Sequence, residues 1–150
     1  MSNVKIVTLS VLAVFIVFVH WGTQAADTLA GPIPARVIRV VDGDTLDVHV
    51  RAWIDTEVTT LVRILGVDTP ELSGKCASEI EKARKATDYV RGLAPVGSMV
   101  YLQKIKPDKY AGRVDATVIN AHGIDLATML ITEGHARPYT GGKRPGWCAP

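Results

Sequence analysis

The chain has 150 residues, which is enough for one ordinary domain. Lys and Arg total 17 and Asp and Glu total 15, so the net charge is only +2, which excludes a strongly basic protein that coats DNA. Hydrophobic residues make up 47% of the chain, which excludes a disordered protein.

The first 26 residues have the pattern of a secretory signal peptide. Lys5 precedes an uncharged apolar run from Ile6 to Val19, and the small residues Ala25 and Ala26 come before a polar segment. The apolar run of about 14 residues is short for a membrane-spanning helix, which needs about 20, and an uncleaved anchor is the alternative. We therefore expect an exported protein, periplasmic or secreted, that is membrane-anchored if the leader is not cleaved.

After a short lead-in over residues 27–34, residues 35–150 are expected to form a single domain. The segments ARVIRVVD and TLDVHV alternate apolar and polar residues, and the turn formers Asp-Gly-Asp separate them. This pattern predicts two strands of a β-hairpin. A third strand is expected from Thr59 to Leu65, with Pro70 stopping it because proline disfavours a continuing ladder.

The segment from Ser73 to Leu93 has a helical period. Its apolar residues recur every three or four positions, whereas Glu79 and the other charged residues fall mainly elsewhere around the turn. This predicts an amphipathic helix of about five turns, which Gly92 and Pro95 end. Its apolar face is expected to consist of Cys76, Ile80, Ala83, Thr87 and Val90.

Two more strands and a second helix follow. The strands are MVYLQKI from Met99 and RVDATVIN from Arg113, joined by the charged loop KPDKYAG. The second helix is expected from the N-cap Asp125 to Glu133, with Gly134 as its stop. The order is β-β-β-α-β-β-α, which favours a small closed barrel because closure removes exposed strand edges. A flat α+β sandwich is the alternative architecture.

Two cysteines, Cys76 and Cys148, lie beyond the export signal, and exported proteins meet oxidising conditions. We predict a disulfide that ties the start of the first helix to the end of the chain. Two buried free thiols are one alternative. Zinc is another, although neither cysteine has a Cys or His neighbour at ligand spacing.

Four acids lie at turns where strands end, in VVDGDTL and GVDTPEL, and acids in such loops are well placed to hold a hard cation. They are Asp42, Asp44, Asp68 and Glu71. The alternative is that both segments are simply turn formers.

Arg63 and Arg113 supply the opposite charge. Because the planar guanidinium matches phosphate oxygens, two arginines facing a carboxylate-bound cation would bracket a phosphodiester. A lone arginine on a strand is more often a surface residue, although the apolar neighbours Val62 and Ile64 weaken this alternative for Arg63. Two histidines, His122 and His135, lack a neighbouring catalytic partner in the sequence and are interpreted as surface or cap residues.

From Ala35 to Trp147 the chain resembles the staphylococcal nuclease-like (thermonuclease) family. The resemblance rests on four segments in family order and spacing: VDGDTL, VRILGVDTPE, DKYAGRV and GHARPY…GW. It implies a mainly β fold of the α+β class, a five-stranded OB-fold barrel with flanking helices. It also implies a calcium-dependent endonuclease with one Ca²⁺ per domain that hydrolyses DNA and RNA, preferably single-stranded or unpaired, and leaves 3′-phosphate ends. We expect a monomer without a stable protein partner.

The resemblance implies roles for individual residues. The metal ligands are the carboxylates of Asp44 and Asp68 and the backbone carbonyl of Thr69. The catalytic residues are Glu71, which orients or deprotonates the attacking water, and the two phosphate-binding arginines, Arg63 and Arg113.

Lys109 and Tyr110 resemble a pair that contacts a flanking phosphate, although an extra Ala111 interrupts the family's Asp-Lys-Tyr-Gly-Arg run. A nucleotide-contacting tyrosine of the family corresponds to Tyr139.

Two functions from other classes remain open. One is a non-catalytic OB-type module that binds nucleic acid in the envelope, since this barrel often holds oligonucleotides without cutting them. The other is a structural envelope protein that retains only the scaffold. A binding module has no need to keep three acids together with two arginines, and this favours the nuclease.

Overall fold

The computed structural model describes residues 27–148. The predicted leader, residues 1–26, lies outside the described residues. Within 27–148, no helix combines the length and apolar character that crossing a membrane requires.

The N-terminal half of the fold is a three-stranded antiparallel meander. It consists of β1 (Ile33–Val40), β2 (Thr45–Trp53) and β3 (Thr56–Ile64). β1 and β2 form the predicted hairpin, and β2 pairs with β3. The prediction that Pro70 ends the third strand is wrong, because the chain already turns at Gly66, whose φ of +88° suits glycine.

The rest of the described chain supplies two helices and four more strands. They are β4 (Val67–Asp68), α1 (Ala77–Leu93), β5 (Met99–Pro107), β6 (Arg113–Asn120), α2 (Leu126–Thr132) and β7 (Arg137–Pro138). The two-residue strands β4 and β7 are too short for a sequence pattern to predict, and they pair antiparallel with Asp68 opposite Arg137. Asp125 caps α2 as predicted, since its carboxylate accepts from Ala127 N at 2.8 Å and Thr128 N at 3.2 Å.

The five long strands close into a barrel in the order β1-β2-β3-β6-β5, so the closed barrel and the order β-β-β-α-β-β-α are confirmed and the flat sandwich is wrong. The pair β3 and β6 is parallel, and the other ladders are antiparallel. The barrel interior is apolar, and Leu126 and Leu130 of α2 belong to the same buried cluster. The interior side chains include Val37, Leu46, Val48, Val62, Ile64, Val100, Leu102 and Val118.

Helix α1 begins at Ala77, four positions after the predicted start, with Cys76 as its N-cap. The expectation that Glu79 lies on the polar face is wrong, since its residue is 8% exposed. Its carboxylate accepts from Lys75 N at 2.9 Å, and the side chain packs against Gly74, where a Cβ would lie 2.5 Å from Glu79 Cγ. Glu79 is therefore buried at the start of α1, where its carboxylate accepts a hydrogen bond from a backbone N–H group that has no partner within the helix.

A disulfide joins Cys76 to Cys148, with Cα atoms 6.0 Å apart and a sequence separation of 72 residues. Cys76 precedes α1, and Cys148 ends the described part of the chain. The covalent link therefore fixes the C-terminal segment against the first turn of α1.

Replacing both cysteines by serine is expected to lower the free energy of unfolding by about 2–4 kcal/mol, because the bridge closes a long loop in the unfolded chain. Urea unfolding followed by circular dichroism measures the change. Reducing agent provides the control, since it should shift the midpoint of the parent protein to that of the variant and leave the variant unmoved. Equal midpoints of oxidised parent and variant would contradict the prediction.

Candidate active site

The two acid-bearing loops predicted from the sequence pack directly on each other at one end of the barrel. Gly43, between Asp42 and Asp44, lies so close to the second loop that a Cβ at this position would be 3.1 Å from Thr69 Cβ and 2.8 Å from Ala86 Cβ. Glycine is required here because any side chain would push the loops apart. The close approach brings Asp44 of one loop and Asp68 of the other to the same end of the fold.

Asp44 is a buried carboxylate, with its residue 5% exposed. Its Oδ2 pairs with Arg63 Nη2 at 3.0 Å, and its Oδ1 accepts from Thr45 Oγ1 at 2.9 Å. Burial raises the pKa of Asp44 from its usual 3.8 to about 6, an effect that Arg63 partly offsets and neighbouring Asp42 increases. A second cation beside this carboxylate would therefore be stabilising.

Asp68 is buried more deeply, with its residue 2% exposed. Its Oδ2 accepts from Arg137 Nη2 at 3.1 Å and from Trp147 Nε1 at 3.2 Å. Its Oδ1 is also buried but accepts no hydrogen bond from any residue of 27–148. Arg144 Nε lies 3.3 Å from this atom, which makes an ion pair without hydrogen-bond geometry. One carboxylate oxygen is thus held by two donors while the other faces only a positive charge.

Arg113 begins β6 and is held from two sides. Its Nε donates to the Asp108 carboxylate, and its guanidinium carbon lies 4.9 Å from the centre of the Tyr110 ring. Burial opposes ionisation of Asp108, but the Arg113 hydrogen bond and charge outweigh it, so the pKa of Asp108 lies below its usual value. Asp108 and Tyr110 therefore fix the direction of a permanently charged guanidinium.

Glu71 lies at the mouth of the site, with its side chain 51% exposed. Its Oε1 accepts from Arg144 Nη1 at 2.6 Å, a charge-assisted hydrogen bond. Burial by itself lowers the pKa of Arg144, but a hydrogen bond with Tyr139 and the carboxylates of Asp68, Asp44 and Glu71 outweigh it and raise the pKa above its usual value. One guanidinium therefore pairs with Asp68 and Glu71 and is also stabilised by the charge of Asp44.

Most of the side chains described above line an open polar cavity of about 300 Å³. Asp68 and Thr69 are buried beneath it rather than lining it. The other seven predicted site residues all line it: Asp44, Arg63, Glu71, Lys109, Tyr110, Arg113 and Tyr139. Two depressions of about 510 and 410 Å³ lie around Arg51 and Glu57 on the β2–β3 hairpin and contain none of these residues. A third, of about 330 Å³, shares Arg63, Lys109, Arg113 and Tyr139 with the site.

The donor set fits a hard divalent cation. Asp68 Oδ1 is a buried acceptor without a hydrogen bond, and the buried Asp44 carboxylate is costly to ionise even with Arg63 beside it. Carboxylate and carbonyl oxygens, with Thr69 buried beside them, are ligands typical of Ca²⁺ or Mg²⁺. A soft metal would require nitrogen or sulfur, and within 27–148 the sulfurs of the only nearby cysteine pair are in the disulfide.

The sequence reasoning missed part of this site. Asp108 orients Arg113, and the C-terminal segment contributes Arg137, Arg144 and Trp147. The stretch KRPGW before Cys148 could have indicated these residues, because a disulfide from Cys148 to the start of α1 places the cations of this stretch close to the GVDTPEL loop. His135 packs on Tyr89 with ring centroids 4.6 Å apart, and neither His122 nor His135 is among the residues that line the cavity.

A family model described as staphylococcal nuclease homologue matches residues 61–145. This match contains Arg63, Asp68, Thr69, Glu71 and Arg113, whereas Asp44 lies upstream of it.

Curated relatives show similarity over a longer stretch. The chain is 30% identical over 126 residues to an uncharacterized lipoprotein of Mycoplasma genitalium, covering 77% of this chain and 49% of that protein. It is 28% identical over 111 residues to an uncharacterized endonuclease of Escherichia coli, covering 74% of this chain and 64% of the relative. The chain thus spans between about half and two thirds of the length of these relatives.

Proposed function

Because the chain belongs to the staphylococcal nuclease homologue family, we propose that it is an exported nuclease that uses a divalent cation to hydrolyse phosphodiester bonds. The single observation that carries the proposal is one cavity lined by Asp44 and Glu71 together with Arg63 and Arg113. A binding module gains nothing from carboxylates that repel nucleic acid, whereas hydrolysis requires both charges.

The substrate and cofactor follow from the same residues. DNA and RNA, single-stranded or unpaired, are the proposed substrates, because the cavity is open and Tyr110 offers an exposed ring beside Lys109 and Arg113. Calcium is the proposed cofactor, held by Asp44, Asp68 and the carbonyl of Thr69. The proposed products have 3′-phosphate ends, as the family resemblance implies.

The proposed chemistry divides among the side chains of the cavity. Bound Ca²⁺ would neutralise phosphate charge and favour deprotonation of a nearby water. Arg63 and Arg113 bind the non-bridging phosphate oxygens, and Arg113 stabilises the charge that develops during in-line attack. Glu71 accepts the proton of the attacking water, for which its half-exposed carboxylate at the cavity mouth is suitably placed. The bond from phosphorus to the 5′ oxygen breaks, and that oxygen leaves as a hydroxyl group after taking a proton from solvent water.

The proposed location is the periplasm or the exterior, with the chain membrane-anchored if the leader is retained. A disulfide persists in oxidising compartments. The relative in Mycoplasma genitalium is named a lipoprotein, which is in keeping with an envelope or exported protein. A monomer without a stable protein partner remains our expectation.

The test incubates the purified protein with labelled single-stranded DNA and RNA in Ca²⁺, in Mg²⁺ and in excess chelator. We expect cleavage with Ca²⁺ that the chelator abolishes and that added Ca²⁺ restores. Product ends that support primer extension only after phosphatase treatment would demonstrate 3′-phosphates. Binding without cleavage under every condition would identify a binding module, and neither binding nor cleavage would identify a structural protein.

A further inference from the structure

A C-terminal tail, residues 139–148, delivers Arg144 into the acid cluster. The tail begins where Tyr139 N donates to Gly66 O at 2.9 Å and ends at the disulfide of Cys148. Between these two fixed points the chain turns through Gly141 and Gly142, both with positive φ. Arg144 lies in the middle of a segment that is anchored at both ends.

The second half of the tail is held by Arg137 and Trp147. Arg137 donates to Pro145 O at 2.9 Å and to Gly146 O at 3.2 Å, and its guanidinium carbon lies 3.7 Å from the centre of the Trp147 ring. Both Arg137 and Trp147 also donate to Asp68 Oδ2. The tail is therefore built around the same carboxylate that the proposed cation would use.

Arg144 differs from Arg137 in the atoms it faces. It lies on the cavity side, 3.3 Å from Asp68 Oδ1 and 2.6 Å from Glu71 Oε1, and its side chain is 32% exposed. Asp68 Oδ1 is the oxygen that accepts no hydrogen bond from residues 27–148, and Glu71 is the proposed proton acceptor. A divalent cation bound to Asp68 would lie within a few ångströms of the Arg144 guanidinium, and the two positive charges would repel each other.

We propose that Arg144 is an intramolecular competitor of the divalent cation, occupying Asp68 and Glu71 until the cation displaces it. This inference rests on the proposed function. Displacement releases Glu71 from a charge-assisted hydrogen bond, so that the carboxylate becomes able to accept a proton only when the cation is bound. The glycines of the tail and the partial exposure of Arg144 give the side chain room to move outward while Trp147 and the disulfide stay fixed.

The test is a calcium titration by isothermal calorimetry on chelator-stripped protein. Arg144→Gln is expected to lower the calcium Kd by about 10-fold, because a partly buried charged hydrogen bond and ion pair no longer have to be broken. Arg144→Lys keeps the charge and should stay close to the parent. Lys143→Gln is the matched control: it removes the same charge from an exposed neighbour that does not line the cavity, and it should leave Kd unchanged.

The direction in which the calcium Kd of Arg144→Gln changes separates competition from a structural role. If Arg144 merely supports the site, its loss weakens calcium binding, and that outcome would overturn the inference, as would equal affinity in parent and Arg144→Gln. Failure of the proposed function has a different result, since then the parent and Arg144→Gln would both bind no calcium while circular dichroism shows folded protein.

Discussion

Replacing Arg113 by alanine is expected to lower the rate of phosphodiester cleavage by about 1,000-fold, because the proposed mechanism uses this permanently charged donor to stabilise the developing phosphate charge. The geometry supports a large effect. Asp108 and Tyr110 hold the guanidinium before substrate arrives, so little reorganisation is needed during the reaction. Arg113→Lys keeps the charge but loses the planar fork and is expected to recover only part of the rate.

Initial rates on labelled single-stranded DNA at saturating calcium measure this loss, with melting followed by circular dichroism to confirm folding. Arg51→Ala is the matched control, since Arg51 has a side chain 78% exposed on the far hairpin and should keep the parent rate. Because the alanine variant leaves the buried Asp108 carboxylate without its partner, Arg113→Ala combined with Asp108→Asn separates catalysis from stability. A folded Arg113→Ala protein that cleaves at the parent rate would disprove the assigned role.

Replacing Asp44 by asparagine is expected to weaken calcium binding by about 100-fold or more and to abolish most cleavage, because one of the two proposed carboxylate ligands becomes neutral. Asparagine can direct its oxygen to accept from Arg63 and its amide nitrogen to donate to the Thr45 hydroxyl, so both local contacts keep a hydrogen-bond partner, with the direction of the Thr45 bond reversed. Calorimetric titration with calcium measures the affinity. Asp88→Asn, an identical exchange at an exposed position of α1, is expected to bind calcium like the parent.

The same substitution has a second expected effect in metal-free protein. With a pKa of about 6 in the folded state against the usual 3.8, Asp44 holds a proton in the fold that the unfolded chain releases. The free energy of unfolding therefore falls as the pH rises from about 4 to about 6. Asparagine does not titrate, so Asp44→Asn removes this pH-dependent fall. In chelator, the free energy of unfolding of the variant should therefore rise relative to that of the parent between about pH 4 and about pH 6 and stay higher at pH 8.

Urea unfolding at pH 4 and pH 8 with chelator measures the difference between Asp44→Asn and the parent. If the difference in free energy of unfolding between variant and parent does not grow from pH 4 to pH 8, burial does not destabilise the ionised Asp44 carboxylate. Loss of calcium affinity together with higher metal-free stability would show that Asp44 is kept for binding rather than for folding.

The sequence was sufficient to predict the long strands, the two helices and much of the candidate site. Alternating residues in β1 and β2, the helical period of α1 and the cap Asp125 are local signals, and each of these elements formed close to its expected position. Turn acids at strand ends predicted where a cation and phosphate could meet, and seven of the nine predicted site residues line one cavity, while Asp68 and Thr69 are buried and do not line it.

Some features depend on contacts that no local pattern contains. Glu79 was expected on the polar face, but the approach of Gly74 buries it. Asp108 could be read as an ordinary loop acid until its hydrogen bond to Arg113 was known.

By itself, then, the sequence determined the strands, the helices and the segments that carry the acids and arginines, because residues two, three or four positions apart already fix which face each side chain takes. Only the tertiary structure decided that the barrel closes and that Arg144 reaches Glu71, 73 positions away. The physical reason is that such pairs depend on the path of the whole chain, here fixed by the disulfide and by Trp147 on Asp68.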